Sequence, residues 1–416
     1  METAEQVLSR CPMTLDGAEL SSYTVVYGVE ETGYLREFAE WIRDAIGAVC
    51  GAEPALVGDD HPAVAREILV GCTNRPETAA LAAESGLGRL SYRMGMKNGK
   101  YVIAGSGLYT VMRAVELLRQ RILSAGPLSE ETEGEDLNGA RVPHADGSDL
   151  RVMSHNIMAV RHAKTWFREG NMPMAPKRVE ILQAVLDAYC PDVVGYQEAC
   201  DGWRDTLEKE LDPLIWGFMN PGRSDGSNGE TIFVYNKNRL TLLEGGPISY
   251  PEYAYTSRVV YAKFALKTDP EKQFLVFNTH WAGNARNTED QMALTANMEK
   301  DFMAALIRRM VEEHGGIPAF TTGDYNTFYL ADHYHSFMEI SGLTDSFELA
   351  KSAGTTVNIC GGCSRRSGNR SETPLSESID HLFCSKQTRV LRYETVTGLA
   401  INELSDHSPR YIDVAW

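Results

Sequence analysis

The sequence predicts an α/β protein in two parts, a small α/β domain followed by a larger α/β region. Three observations carry this expectation. At 416 residues the chain is too long for one ordinary hydrophobic core. Strand-like runs alternate with helical ones on both sides of a break in the pattern, the order that builds α/β folds. The break itself, SEETEGEDLNGARVPHADGSDL (Ser129–Leu150), is acidic, lacks an apolar period and reads as a linker. The expected boundaries are therefore 1–128, 129–150 and 151–416.

In the first domain SYTVVYGV has the β-branched and aromatic character of a strand. In EETGYLREFAEWIRDAIGAVCG, residues Leu35, Phe38, Trp41, Ile42 and Ile46 recur at helical spacing and make one apolar face. EILVGC is a second short strand. YRMGMKNGKYVIAG reads as two strands joined at Asn98-Gly99, a pair that tolerates the positive φ of a tight hairpin. LYTVMRAVELLRQRIL closes the domain as another amphipathic helix. No acid, base or nucleophile converges here. The stretches EILVGCTNRPE and NGKYVIAGSGLYTVMRAVELL resemble the small α/β domain ahead of the catalytic barrel in hexosaminidase- and glucuronidase-type glycoside hydrolases. That resemblance implies an accessory packing module, since the barrel that carries their chemistry is missing.

The second region repeats another pattern: apolar strands, each interrupted at its C-terminal end by a residue able to bind metal or phosphate. LRVMSHNIMAV carries Asn156, and PDVVGYQEAC, after the helix KRVEILQAVLDAY, carries Gln197 and Glu198. QFLVFNTHWAGN carries Asn278 and His280, and IPAFTTGDYNTF carries Asp324 and Asn326. ESIDHLFCS carries Asp380, and LSDHSPRYIDVAW carries Asp406 and His407. Singly, each has a bland explanation as a turn, cap or satisfied structural residue. Together they point to one site, because buried carboxylates and amides cost several kcal/mol each unless partners or a metal compensate them.

The ordered set HNIM, GYQE, NTHW, GDYNTF, SIDH and SDH resembles the endonuclease/exonuclease/phosphatase superfamily over residues 151–416. The resemblance implies a deoxyribonuclease I-like α/β/β/α sandwich of four layers and a phosphoric ester hydrolase acting through activated water. Such chemistry needs a cation on the phosphate, an in-line water and donors for the developing charge. Glu198 offers the hard anionic oxygen that Mg²⁺ prefers, with Asn156 and Asp406 as helpers and Mn²⁺ as a substitute ion. By resemblance Asp324 orients or deprotonates the water, and Asn326 with His280 donates to the phosphoryl oxygens. If the strand extends through GDYN, Asp324 and Asn326 point to one side. His407 is the acid/base residue, its unperturbed pKa of about 6.5 allowing both protonation states near neutrality, and Asp380 orients it. Arg258, at the head of a strand, either grips a phosphate bidentately or is solvated.

Two departures point away from the apurinic endonucleases: Met158 stands where those enzymes carry an acidic metal-site residue, and His280 where they generally have Tyr. Trp281 either stacks on a substrate ring or packs. The net charge of −17 argues against long-range attraction to nucleic acid or anionic lipid. Arg365, Arg366 and Arg370 form the densest basic cluster, in a loop with Cys360 and Cys363, whose lone CxxC is a weak zinc signal. The expected substrate is a phosphate ester, small molecule or nucleic acid. A nuclease on DNA or RNA is the first alternative, and a silent binding protein with a glycan- or partner-binding first domain is the second. With no basic-then-apolar leader and no run of ~20 apolar residues, the expected location is the cytoplasm.

Overall fold

The structure is a computed structural model and describes residues 13–29, 33–85, 89–128, 131–135, 141–159, 175–200, 202–219, 230–248, 258–281, 291–329, 331–352, 357–358 and 378–416. Cys360, Cys363, Arg365, Arg366 and Arg370 lie outside these residues. The chain divides into two compact units, Met1–Ala140 with Pro176–Ala184, and Arg141–Ala175 with Val185–Trp416.

In the first unit β1 (Thr14–Leu15) and β2 (Ala18–Glu19) pair alone. A six-stranded sheet follows, built from β3 (Thr24–Tyr27), β4 (Ala55–Gly58), β5 (Glu67–Val70), β6 (Ser91–Lys97), β7 (Lys100–Gly105) and β8 (Thr132–Glu135), in the order β4-β3-β5-β7-β6-β8. The helix Tyr34–Cys50 buries Leu35, Phe38, Ile42 and Ile46 as their spacing requires, while Trp41 sits half-buried at the edge against Phe38. Asn98 (φ 48°) and Gly99 (φ 80°) turn the β6–β7 hairpin. Two elements depart from the sequence expectation. Pro76–Ser85 is a helix opened by proline, whose missing N–H costs nothing at a first helical position. Thr132–Glu135, inside the expected linker, is a strand because backbone pairing to Ser91–Met94 on the sheet edge needs no apolar side chains.

The second unit holds two sheets. The seven-stranded one runs β11-β12-β10-β9-β21-β20-β18 and the six-stranded one β13-β14-β15-β16-β19-β17. Their strands are β9 (Leu150–Asn156), β10 (Val193–Gln197), β11 (Trp216–Met219), β12 (Ile232–Asn236), β13 (Leu240–Ile248), β14 (Arg258–Leu266), β15 (Asp269–His280), β16 (Ala319–Asp324), β17 (Leu343–Asp345), β18 (Val357–Asn358), β19 (Asp380–Ser385), β20 (Arg389–Thr395) and β21 (Arg410–Ala415). Alternate residues of both sheets, among them Val152, Val193, Val276, Phe320, Leu382 and Ile412, fill the core between them. The intervening residues Leu275, Phe277 and Phe383 face outward and pack with Met303, Ile307 and Phe337 of helices Gln291–Glu313 and Asp332–Ser341. On the outer face of the other sheet the Tyr189 ring, which ends helix Ala175–Tyr189, meets Tyr411 at 5.4 Å. These are the four layers of the sandwich. Among the described residues no helix is long and apolar enough to cross a membrane.

Candidate active site

The site follows from period two. The strand face that is apolar deep in the sandwich turns polar toward one end: Val152, Ser154, Asn156 on β9; Val276, Asn278, His280 on β15; Phe320, Thr322, Asp324 on β16; Leu382, Asp380 on β19. Register brings the ends level, Asn156 opposite Gln197, His280 opposite Asp324, and Asp324 opposite Asp380. The strands are not all parallel, however. β19 is antiparallel to β16 and β21 to β9, so Asp380 and His407 stand at or before the N-terminal ends of their strands rather than at the C-terminal ends.

Below the mouth an amide layer ties the sheets. Gln197 Nε2 donates to Asn278 Oδ1 (2.6 Å), Thr322 Oγ1 to the same oxygen (3.1 Å), and Asn278 Nδ2 to the carbonyls of Tyr196 (2.8 Å) and Ile232 (2.9 Å). A side chain at Gly195 would collide with Thr322 Oγ1, so glycine is what lets this layer form.

Above it, Asn156 Nδ2 stands 3.1 Å from both Glu198 Oε1 and Asp324 Oδ2, while its Oδ1 accepts from Met158 N (2.9 Å). Glu198, in the left-handed region (φ 57°), has its Oε2 fixed by Ala159 N at 2.8 Å. Burial pushes the Glu198 carboxyl up, but the charge of His280, the Ala159 and Asn156 hydrogen bonds and His407 hold it below the usual carboxylate range. His407 Nδ1 donates to Asp380 Oδ2 (2.9 Å), and its Nε2 faces Asp324 Oδ2 at 3.7 Å. Burial raises the Asp380 carboxyl, yet His407 and Arg410 bring it below its ordinary value. Asp324 goes the other way: burial and the nearby Asp380 outweigh the two imidazoles and raise it. Ligand atoms of Asp324, Asp380 and His407 lie within 4.8 Å of one another, but the Nδ1 of His407 is already committed to Asp380.

His280 Nε2 lies 3.6 Å from Asp324 Oδ2, and its Nδ1 lies 3.4 Å from Glu230 Oε1. Burial favours the neutral ring, but the carboxylates of Glu230, Asp324 and Glu198 prevail and lift its pKa to about 9. Glu230 escaped the sequence reading. It stands two residues before β12, which is antiparallel to β10, and an acid just ahead of a strand was the available signal. Asp406 is half-exposed, and its Oδ1 is 3.4 Å from Ser405 Oγ, which in turn donates to the carbonyl of Asn156 at 2.6 Å.

One expectation changes and one open alternative closes. The strand ends at Asp324, and Asn326 lies beyond it with φ 47°, so the two side chains do not alternate to one side; Asn326 N donates to Asp324 Oδ1 (2.9 Å) and its Nδ2 to the Trp281 carbonyl (2.8 Å). Trp281 is 2% exposed and packs on Tyr325 and Phe337, which leaves no ring for a substrate. Arg258 begins β14 with its backbone opposite His280.

Several solved structures are similar to this one. An endonuclease/exonuclease/phosphatase from Bacteroides vulgatus is 20% identical, with a TM-score of 0.50, covering 64% of this chain and 98% of that one. A mannosyl-6-phosphatase of Bacteroides thetaiotaomicron is 22% identical over 64% of this chain and 100% of its own, with a TM-score of 0.48. The catalytic domain of human Nocturnin is 20% identical over 64% and 94%, with a TM-score of 0.47. A search of curated proteins found no match. Residues 170–407 match the model of the Endonuclease/Exonuclease/phosphatase family, and the chain belongs to that family.

Proposed function

We propose that the second unit hydrolyses a phosphodiester or phosphomonoester with a divalent cation, Mg²⁺ or in its place Mn²⁺. The observation that carries this reading is the Asp380–His407 pair at 2.9 Å, beside Asp324 and joined through Asn156 to Glu198 at the same end of the sandwich. Glu198 fits a hard cation: each of its oxygens accepts one hydrogen bond, from Asn156 and Ala159, and has acceptor capacity left. Asn156 has one lone pair of Oδ1 taken by Met158 N and serves mainly to space the two carboxylates, and Asp406, linked to its carbonyl through Ser405, would add a further oxygen ligand. When bound, the cation offsets phosphate charge.

The rest belongs to the chain's own side chains. Asp324, with its raised pKa, is suited to orient a water and take its proton. His280 Nε2 (3.6 Å) and His407 Nε2 (3.7 Å) both face its Oδ2 at more than hydrogen-bond length. His280, protonated up to about pH 9, donates to the phosphoryl oxygens. His407, its tautomer fixed by Asp380, handles the proton of the leaving oxygen. The second Nδ2 hydrogen of Asn326 is free of the Trp281 bond and adds a donor. Arg258, whose backbone in β14 lies opposite His280, is the proposed further contact to the phosphate.

The test is Mg²⁺-dependent hydrolysis of bis-p-nitrophenyl phosphate, abolished by chelator and restored by Mg²⁺. His407→Ala and Glu198→Gln should each lower kcat by at least ~10²-fold, the scale of losing a general acid or base or a charge-stabilising group. Wild-type turnover in both variants would overturn the assignment.

A further inference from the structure

In the SIDH motif Asp380 has a role and His381 has none, yet His381 is 3% exposed and sits on the opposite face of the same strand. Its Nε2 lies 2.8 Å from the Thr327 carbonyl. A carbonyl only accepts, so Nε2 carries the hydrogen. The other ring nitrogen faces Asp345 Oδ2 at 3.5 Å. Asp345 is itself fixed, Oδ2 by the Tyr334 hydroxyl (2.7 Å) and Oδ1 by Phe347 N (2.8 Å). The ring is walled by Tyr325, Tyr334 and Phe383. Thr327 is gripped again through its side chain, where Lys300 Nζ donates to Oγ1 at 2.8 Å. What these groups hold is the residue after Asn326, on a loop already bent into the left-handed region at Asn326.

We propose that His381 is a positioning residue: back to back with Asp380 on β19, it fixes the Asn326 loop through the Thr327 carbonyl while Asp380 fixes His407. One strand thus sets both the acid/base group and the amide donor by alternation of its faces. The inference rests on the phosphoesterase reading for its catalytic consequence, and on geometry alone for the loop.

The test compares His381→Met, which removes the donor, with His381→Gln, whose amide nitrogen can stand near the lost Nε2. With bis-p-nitrophenyl phosphate and Mg²⁺, H381M should lower kcat by about 10- to 100-fold with KM little changed, the range seen for outer partners of a reacting group. H381Q should recover most of it. In an Asn326→Ala background H381M should add no further loss, because both act through one donor. Amide exchange of Tyr325–Phe328 should be faster in H381M than in the wild type and in H381Q. A merely structural histidine predicts instead equal losses in the two variants and multiplication with Asn326→Ala, and either result overturns the proposal. If the wild type turns over no ester, the phosphoesterase reading fails by itself. The exchange measurement then decides the positioning role, and unchanged exchange in H381M refutes it.

Discussion

His280 stands among three acids, and the acid that does most to keep its ring charged, Glu230, arrives from the residues ahead of β12. A histidine whose pKa is raised to about 9 is cationic below that value and loses its charge as pH rises through it. In Glu230→Gln the ring keeps its burial and loses that carboxylate, so its pKa falls toward the ordinary 6.5. The alkaline limb of kcat/KM should then move to lower pH. An unshifted limb would show that the imidazolium is not the form at work. The candidate acids and bases were legible as a set, because several buried polar residues beside apolar strands are costly unless used. Glu230 was not, since its partner is distant in the sequence.

At the scale of the strand, the inward faces of β9, β15, β16 and β19 change from apolar to polar within two or three alternations, and the sheets stay in contact through the change. Gly195 makes that contact close. An added Cβ would collide with Thr322 Oγ1 and stand 2.8 Å from Asn278 Cγ. Gly195→Ala should cost about 1–3 kcal/mol, as overpacking does, and should lower kcat by displacing the amide layer under Glu198. Thr322→Ala in the same chain should return part of the stability. Chemical denaturation reads both, and a G195A protein as stable as the wild type would argue against the close packing. Strand identity was legible from composition and period. Direction was not: the end of a strand that bears a functional residue depends on pairing with strands far along the chain, which is why Asp380 and His407 open strands instead of closing them.

For the molecule as a whole, the last strand sits in the middle. β21 lies between β9 and β20, pairing Ile412 with Val152 on one side and with Tyr393 on the other. Its Arg410 donates to the carbonyl of Asp380 at 2.8 Å. Removing residues 410–416 would leave β9 and β20 each with one open edge in the interior of a sheet and should abolish the cooperative melting of the second unit. His407→Ala, by contrast, should keep a cooperative transition while losing activity. Near-ultraviolet circular dichroism on heating distinguishes the two, and a truncated chain with native melting would refute the central role of β21.

By itself the sequence determined the α/β class, the family motifs and the residue types of the site, because apolar periodicity and uncompensated polar residues are local properties. Only the tertiary structure decided that Asn156 bridges two carboxylates, that Glu230 charges His280 and that Asn326 leaves the strand line. It also decided that Thr132–Glu135 is a strand. Each of these depends on hydrogen bonding and electrostatics between residues brought together by strand pairing, and sequence neighbours alone do not encode that pairing.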